Sequence, residues 1–206
     1  MTDPSMPDRH LPSAHSSLEA SEWVQRWSHL VAAGSSVLDV ACGSGRHTRW
    51  FHDRGCAVTA VDRDATALAG LQHMARTVRT VHADLEGQAW PLPGETYSAV
   101  VVTNYLWRAL LPDIARSVGT SGVLIYETFA AGNASVGKPS NPDFLLRPGE
   151  LLHFAAAHGL RVVAYEDGFC SQPDRFVQRL VAVRPSTSDT GMQRHLLPPV
   201  NTPRAS

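Results

Sequence analysis

Val37-Leu-Asp-Val-Ala-Cys-Gly-Ser-Gly-Arg-His47 is the stretch on which the fold turns. Val37, Leu38 and Val40 make a short apolar run of strand type. It stops at five small residues, Ala41 to Gly45, and a helical pattern starts at Arg46. A strand, a tight small-residue loop and a helix bring a ligand against the main chain of an α/β sheet. Gly43 and Gly45 put no side chain in the way, and the helix behind them aims its free N–H groups at the same space.

Outward from this junction the chain alternates strand and helix. Strands are expected at 36–40, 57–61, 79–83, 97–103 and 122–128, with a closing antiparallel pair at 161–166 and 175–183. Ala99-Val-Val-Val102 is the purest apolar run and belongs at the centre of a parallel sheet. Helices are expected from the capping-box pattern Ser16-Ser-Leu-Glu19 up to Gly34, then at 46–54, 64–76, 108–118 and from about 148 to His158-Gly159. The sum is a doubly wound α/β sheet with helices on both faces. Residues 1–15 and 185–206 lack periodicity and read as flexible tails, leaving one domain over 16–184.

Composition narrows the function. With 206 residues and 43% hydrophobic content the chain supports one well-cored domain. Its net charge is −1, Lys138 is the single lysine and the arginines are scattered, which disfavours a nucleic-acid partner. No apolar stretch approaches the ~20 residues of a membrane span, and the N-terminus lacks the plan of a signal peptide. Cys42, Cys56 and Cys170 are odd in number and without metal-like spacing, as expected in a reducing cytoplasm. His47/His52 and His153/His158 are wrongly spaced for one helical face, so no metal site is expected.

Two cofactor classes use such a loop. A dinucleotide fingerprint needs a third small residue, but that position holds Thr48. Asp39, just before the loop, would repel a pyrophosphate and suits a cofactor with a cationic amino-acid end. Asp39-Val-Ala-Cys-Gly-Ser-Gly45 resembles the first motif of class I S-adenosylmethionine (SAM)-dependent methyltransferases, D/E-x-G-x-G-x-G, with Ala41 at the first glycine. The resemblance implies a seven-stranded sheet of order 3-2-1-4-5-7-6 with the last strand antiparallel. It also implies SAM held by Asp39, Ala41, Cys42, Gly43 and Gly45.

Asp62 ends the second strand close to the ~20-residue spacing of a ribose-binding acid, and its two oxygens match two neighbouring hydroxyls. Arg63 is a candidate for the adenine face. By the resemblance, Asp84 takes the adenine amino group and Leu85 offers a backbone N–H; Asn104, where strand 4 releases the chain, is a candidate to hold the methionyl part. Cys42 is read as a small loop residue, not a nucleophile.

The acceptor side is less legible. Arg46 and His47 open the helix after the loop and are candidates to contact the carboxylate of the substrate or of the cofactor. Tyr105 and Trp107 are candidates to stack on a planar substrate. Tyr126, Glu127 and Asn133 begin a long irregular wall over 129–147. Glu127, His47 and Tyr126 are unranked candidates for a general base, and no catalytic residue is assigned. Asn104-Tyr-Leu-Trp107 is not the N/D-P-P-Y/F signature of amino-group methylases. Leu145-Leu-Arg-Pro-Gly-Glu-Leu151 is similar to small bacterial methyltransferases of the tellurite-resistance type, implying a small chalcogen-containing or hydroxylated acceptor. The expected function is methyl transfer from SAM to a small molecule by in-line displacement. The alternatives are a SAM-binding scaffold without turnover and a nicotinamide-dependent oxidoreductase.

Overall fold

Ala99, Val100, Val101 and Val102 are all wholly buried, because β4 (Tyr97–Thr103) has a strand on each side and helices above and below. The computed structural model describes residues 19–186 and 194–199. Around β4 stand β1 (Ser36–Val40), β2 (Ala57–Asp62), β3 (Val78–His82), β5 (Val118–Phe129), β6 (Arg161–Ser171) and β7 (Asp174–Val183). Their order is β3-β2-β1-β4-β5-β7-β6. The first five are parallel, and β7 runs antiparallel to both its neighbours.

Alternation along the strands builds two cores. Val37, Val101, Ile125 and Val181 face α1 (Glu22–Trp27), α2 (Arg46–Asp53) and α3 (Ala65–Ala69), which bury Trp23, Trp27, Phe51 and Leu68 against them. Leu38, Val100, Leu124 and Leu180 face α4 (Leu111–Ser117) and α5 (Glu150–Ala157), which contribute Ile114, Leu151 and Phe154. Each such buried side chain is worth about 1.5–3 kcal/mol.

Several elements differ from expectation for local reasons. The first helix starts at Glu22, where Ser21 Oγ accepts the Val24 N–H at 3.1 Å. Glu19 lies ahead of it, and Ser16 to Leu18 and the segment 1–15 lie outside the described residues. The expected 64–76 helix stops at Ala69, with Gly70 as its cap, and a 3₁₀ turn Gln72–Met74 completes the connection. β5 begins at Val118 rather than 122, directly after α4. A Cβ on Gly122 would lie 2.8 Å from both Gly119 O and Tyr97 O. That close backbone approach lets the strand run through a glycine-bearing segment that looks like a turn. Of the expected C-terminal tail, residues 185–186 and 194–199 are described, and the Leu196 carbonyl lies 2.9 Å from His29 Nε2. Among the described residues no helix is long and apolar enough to cross a membrane.

Candidate active site

Three left-handed residues shape the loop after β1: Ala41 at φ 52°, Gly43 at φ 53° and Gly45 at φ 77°. Cys42 N–H donates to Val61 O at 3.0 Å, tying the loop to β2, and Gly45 N–H donates to Cys42 O at 2.9 Å. Arg49, one turn into α2, reaches back to the Ser44 carbonyl. The departure at Ala41 therefore has a cost beyond its methyl group, since a left-handed non-glycine residue is strained by ~1–2 kcal/mol.

Asp62 is built into this loop. Its Oδ2 accepts the Gly43 N–H at 2.7 Å and its Oδ1 the Asp64 N–H at 2.9 Å. Each oxygen keeps a lone pair for a further donor. Asp64, not Asp62, caps α3 through the Thr66 and Ala67 N–H groups. Beside Asp62 opens a cleft of about 120 Å³, whose lining includes the apolar residues Ala41, Ala83 and Leu85 and the charged residues Arg63, Asp84 and Glu86. Asp84 Oδ1 accepts the Glu86 N–H at 3.0 Å. A Cβ on Gly87 would stand 2.7 Å from Asp84 Oδ2, so a larger residue there would have to displace that carboxylate.

Tyr105 lines this same cleft instead of a separate acceptor wall. Its buried hydroxyl has no partner. Burial, with Glu86, Asp84 and Asp62 nearby, pushes its phenol up, so it stays a donor. Trp107 packs against the α4–α5 core and does not line the cleft. Asn104 is exposed at φ 53°, and its N–H donates to Glu127 O at 2.8 Å where β4 releases the chain.

Asp39 lies beneath the loop rather than on the cleft wall. It is 1% exposed, and Oδ2 accepts the Thr48 hydroxyl at 2.6 Å. Burial raises its carboxyl to about 6. Thr48, the residue that breaks a dinucleotide fingerprint, is thus the partner that anchors α2 to β1. The Cys42 thiol, 7% exposed, is pushed up by burial and by Asp39 and Asp62, which leaves it protonated and inert.

Three acceptor-side candidates turn out to be structural. His47 is 1% exposed, with Nε2 accepting the Ser21 N–H at 3.2 Å and Nδ1 3.2 Å from Thr103 Oγ1. This neutral ring clips α1 to β4, and burial holds its pKa down to about 3, so it is not a base facing a substrate. Tyr126 is wholly buried on the α5 face, edge-on to Phe154, and its hydroxyl donates to Tyr105 O at 3.0 Å. Asn133 is 1% exposed, donating to Pro139 O at 3.0 Å and accepting the Phe176 N–H at 3.1 Å. Its work is to fold the 130–139 loop onto β7.

Arg46 is half-buried, and its pKa is lowered by burial first, with Glu127 opposing and Arg175 adding to the effect. Glu127 is wholly buried and paired with Arg179 at 2.5 Å. Arg175 and Arg179 were missed in the sequence, although two arginines alternating through an apolar strand were a readable signal. Among the described residues, no group of three or more His, Cys, Asp or Glu side chains stands close enough to hold a metal ion.

Residues 37–122 match the family model described as a methyltransferase domain. These residues carry a methyltransferase domain, on a sheet ordered as in class I SAM-dependent methyltransferases. Over 100 residues it is 35% identical to a malonyl-[acyl-carrier protein] O-methyltransferase of Enterobacter lignolyticus, covering 46% of this chain and 39% of that one. The methyltransferase domain thus spans about two-fifths of the length of that relative. A SAM-dependent methyltransferase from Mesorhizobium loti superposes with a TM-score of 0.65 at 16% identity, covering 81% of this chain and 100% of that one. TehB of Haemophilus influenzae gives 0.59 at 18%, covering 76% and 59%. The chain shares its fold with both.

Proposed function

We propose that the domain binds SAM in the cleft between the β1 loop, Asp62 and Asp84, and transfers its methyl group to a small-molecule acceptor. The observation that carries this reading is Asp62, which fastens the glycine loop by one oxygen and α3 by the other while facing an open cleft. The residues present fit an adenosyl group. Asp62 offers two free lone pairs to vicinal hydroxyls, Asp84 offers an acceptor to an amino group, and Ala41, Ala83 and Leu85 offer apolar surface to a flat ring. A Cβ on Gly43 would meet nothing within 4 Å, so the main chain there is open to a ligand. Tyr105 brings a hydroxyl donor that lacks a partner.

SAM, when bound, supplies a methyl group on a sulfonium, which leaves without help from a protein acid. The chain's own contribution is therefore to bind, orient and exclude water. Fixing two reactants in line is worth ~7–11 kcal/mol. The loop and α2 are held for that purpose by Thr48–Asp39 below and Arg49–Ser44 above. Arg108 holds the segment that flanks β4 and β5. Its guanidinium bonds both oxygens of Glu150 at 2.7 and 2.9 Å and the carbonyls of Asp143 and Leu145 at 2.6 and 2.9 Å.

The test is calorimetric titration with SAM, S-adenosylhomocysteine and NAD on wild type and Asp62→Ala. Two hydrogen bonds to a charged carboxylate are worth about 3 kcal/mol or more, a loss above 100-fold in affinity. Both sulfur ligands are expected to bind wild type, with the variant losing them. Binding of NAD but neither sulfur ligand refutes the reading.

A further inference from the structure

The charges on the α1 side of the sheet form a chain that does not close. Arg26 Nη1 donates to Glu166 Oε1 at 3.1 Å, Arg179 Nη1 to Glu166 Oε2 at 3.1 Å, and Arg179 Nε to Glu127 Oε2 at 2.5 Å. Glu127 Oε1, on a side chain with no exposed surface, is left without a partner. Two further arginines lie on this side of the sheet, Arg175 further along β7 from Arg179, which pairs with Glu127, and Arg46, which is within electrostatic range of both Glu127 and Arg175. Arg175 precedes Arg179 by four residues on β7, so both side chains leave the same face, and Arg175 Nε is buried and unpartnered. Arg46 has no ion-pair partner among the described residues and lies within electrostatic range of Glu127 and Arg175. A buried acceptor left unmade costs ~1–3 kcal/mol, and more when charged. Native structures leave few such groups, so Glu127 Oε1 and Arg175 Nε on one face of the sheet call for a reason.

The sheet keeps Glu127 and Arg175 apart from the adenosyl cleft, while Arg46 directly follows Gly45 of the glycine loop. Asp62 ends β2, whereas Glu127 is on β5 and Arg175 on β7, three and four strand spacings away. At ~4.8 Å per strand this is roughly 14–19 Å. The glycine loop, on β1, lies between them.

We propose that Arg46, Arg175 and Glu127 form the acceptor subsite, and that the acceptor is a small oxyanion, carboxylate or phosphate, carrying an O–H or N–H beside the anionic group. The two guanidiniums take the oxyanion, for which their planar donor forks are suited. Glu127 Oε1 takes the neighbouring donor, while Arg179 keeps Oε2 occupied. A neutral apolar acceptor would leave all three groups unpaired. That the ligand is the methyl acceptor rests on the function proposed above. The same chemistry also occurs in the methionyl end of SAM, so the test separates the two.

Protein saturated with S-adenosylhomocysteine is titrated with salicylate against salicylamide, and with glycerol 3-phosphate against glycerol. At least one anion is expected to bind tenfold tighter than its neutral counterpart. Arg175→Gln and Arg46→Gln are each expected to weaken it at least tenfold, and Glu127→Gln at least fivefold, with S-adenosylhomocysteine affinity within twofold of wild type. Equal binding of the neutral probes, or no anion binding, overturns the proposal. A parallel loss of S-adenosylhomocysteine in Arg175→Gln also overturns it, assigning the cluster to the methionyl end. Failure of wild type to bind S-adenosylhomocysteine would instead remove the cofactor reading, and the anion preference is then read on the protein without it.

Discussion

Gly43 and Gly45 look equivalent in the sequence, but alanine at each should do different damage. At Gly45, φ is 77° and a Cβ would stand 2.5 and 2.8 Å from the two methyl carbons of Leu71, which is itself wholly buried. The left-handed backbone contributes ~1–2 kcal/mol and overpacking against an immobile neighbour ~1–3 kcal/mol. Reduced freedom of the unfolded chain returns ~0.4–1 kcal/mol. Gly45→Ala should therefore lose about 2–4 kcal/mol, a fall in Tm of roughly 5–15 °C for a chain of this size. At Gly43, φ is 53° and nothing lies within 4 Å, so only the backbone penalty remains and about 1 kcal/mol is lost. The added methyl instead stands in the space left for the cofactor, and S-adenosylhomocysteine affinity should fall at least tenfold. Urea denaturation with matched m-values measures the first effect, and calorimetry the second. If Gly45→Ala proves no less stable than Gly43→Ala, the packing argument fails. Should Gly43→Ala bind S-adenosylhomocysteine like wild type, the loop does not face the ligand.

The remaining predictions concern buried charge and the segments around the cleft. In the unfolded chain His47 takes a proton near 6.5 that the folded protein refuses until about 3, so its contribution to stability is lost as pH falls through that window. Asp39 acts oppositely: folded it keeps a proton up to about 6, unfolded only to 3.8, so it adds stability as pH falls from 6 to 4. The two one-proton slopes oppose each other between pH 4 and 6. In Asp39→Asn, where Thr48 Oγ1 can turn to accept the amide, stability should fall by ~1.4 kcal/mol per unit there. The same variant should gain up to about 3 kcal/mol over wild type at pH 7, shrinking to nothing below pH 4. A denaturation series from pH 4 to 7 showing the wild-type slope in the variant would contradict this. Ala41→Gly should stabilise the fold by ~0.5–1 kcal/mol, relieving a left-handed alanine at φ 52°; unchanged or lower stability counts against strain at that position. Arg108→Met should cost ~1–3 kcal/mol and speed amide exchange across residues 143–150, while β4 amides keep their protection; uniform exchange would mean the segment is held by other contacts.

Much of the fold was legible because its signals are local. An apolar run closed by small residues, repeated with helical segments between, is enough to set β1, β2 and β4 and to bring Asp62 and Asp84 to one rim. What misled was also local. Gly70 inside a helical pattern and Gly119 and Gly122 inside a strand carry no mark of whether they break the element or allow backbone to pass close. The residues on the acceptor side were harder still. His47 opens a helix and Tyr126 and Asn133 lie near the end of β5, and that they are polar there is all a sequence can report of them. Only packing shows that each has its hydrogen bonds used up inside the protein.

By itself, then, the sequence determined the α/β alternation, the cofactor loop and the acids that end successive strands, because backbone propensity and one carboxylate per strand end depend on neighbours in the chain. Tertiary structure alone decided which charges meet. Glu127 and Arg179 are fifty-two residues apart yet face each other across a β5–β7 pair. Whether a buried oxygen such as Glu127 Oε1 has a partner depends on atoms that strand order brings together.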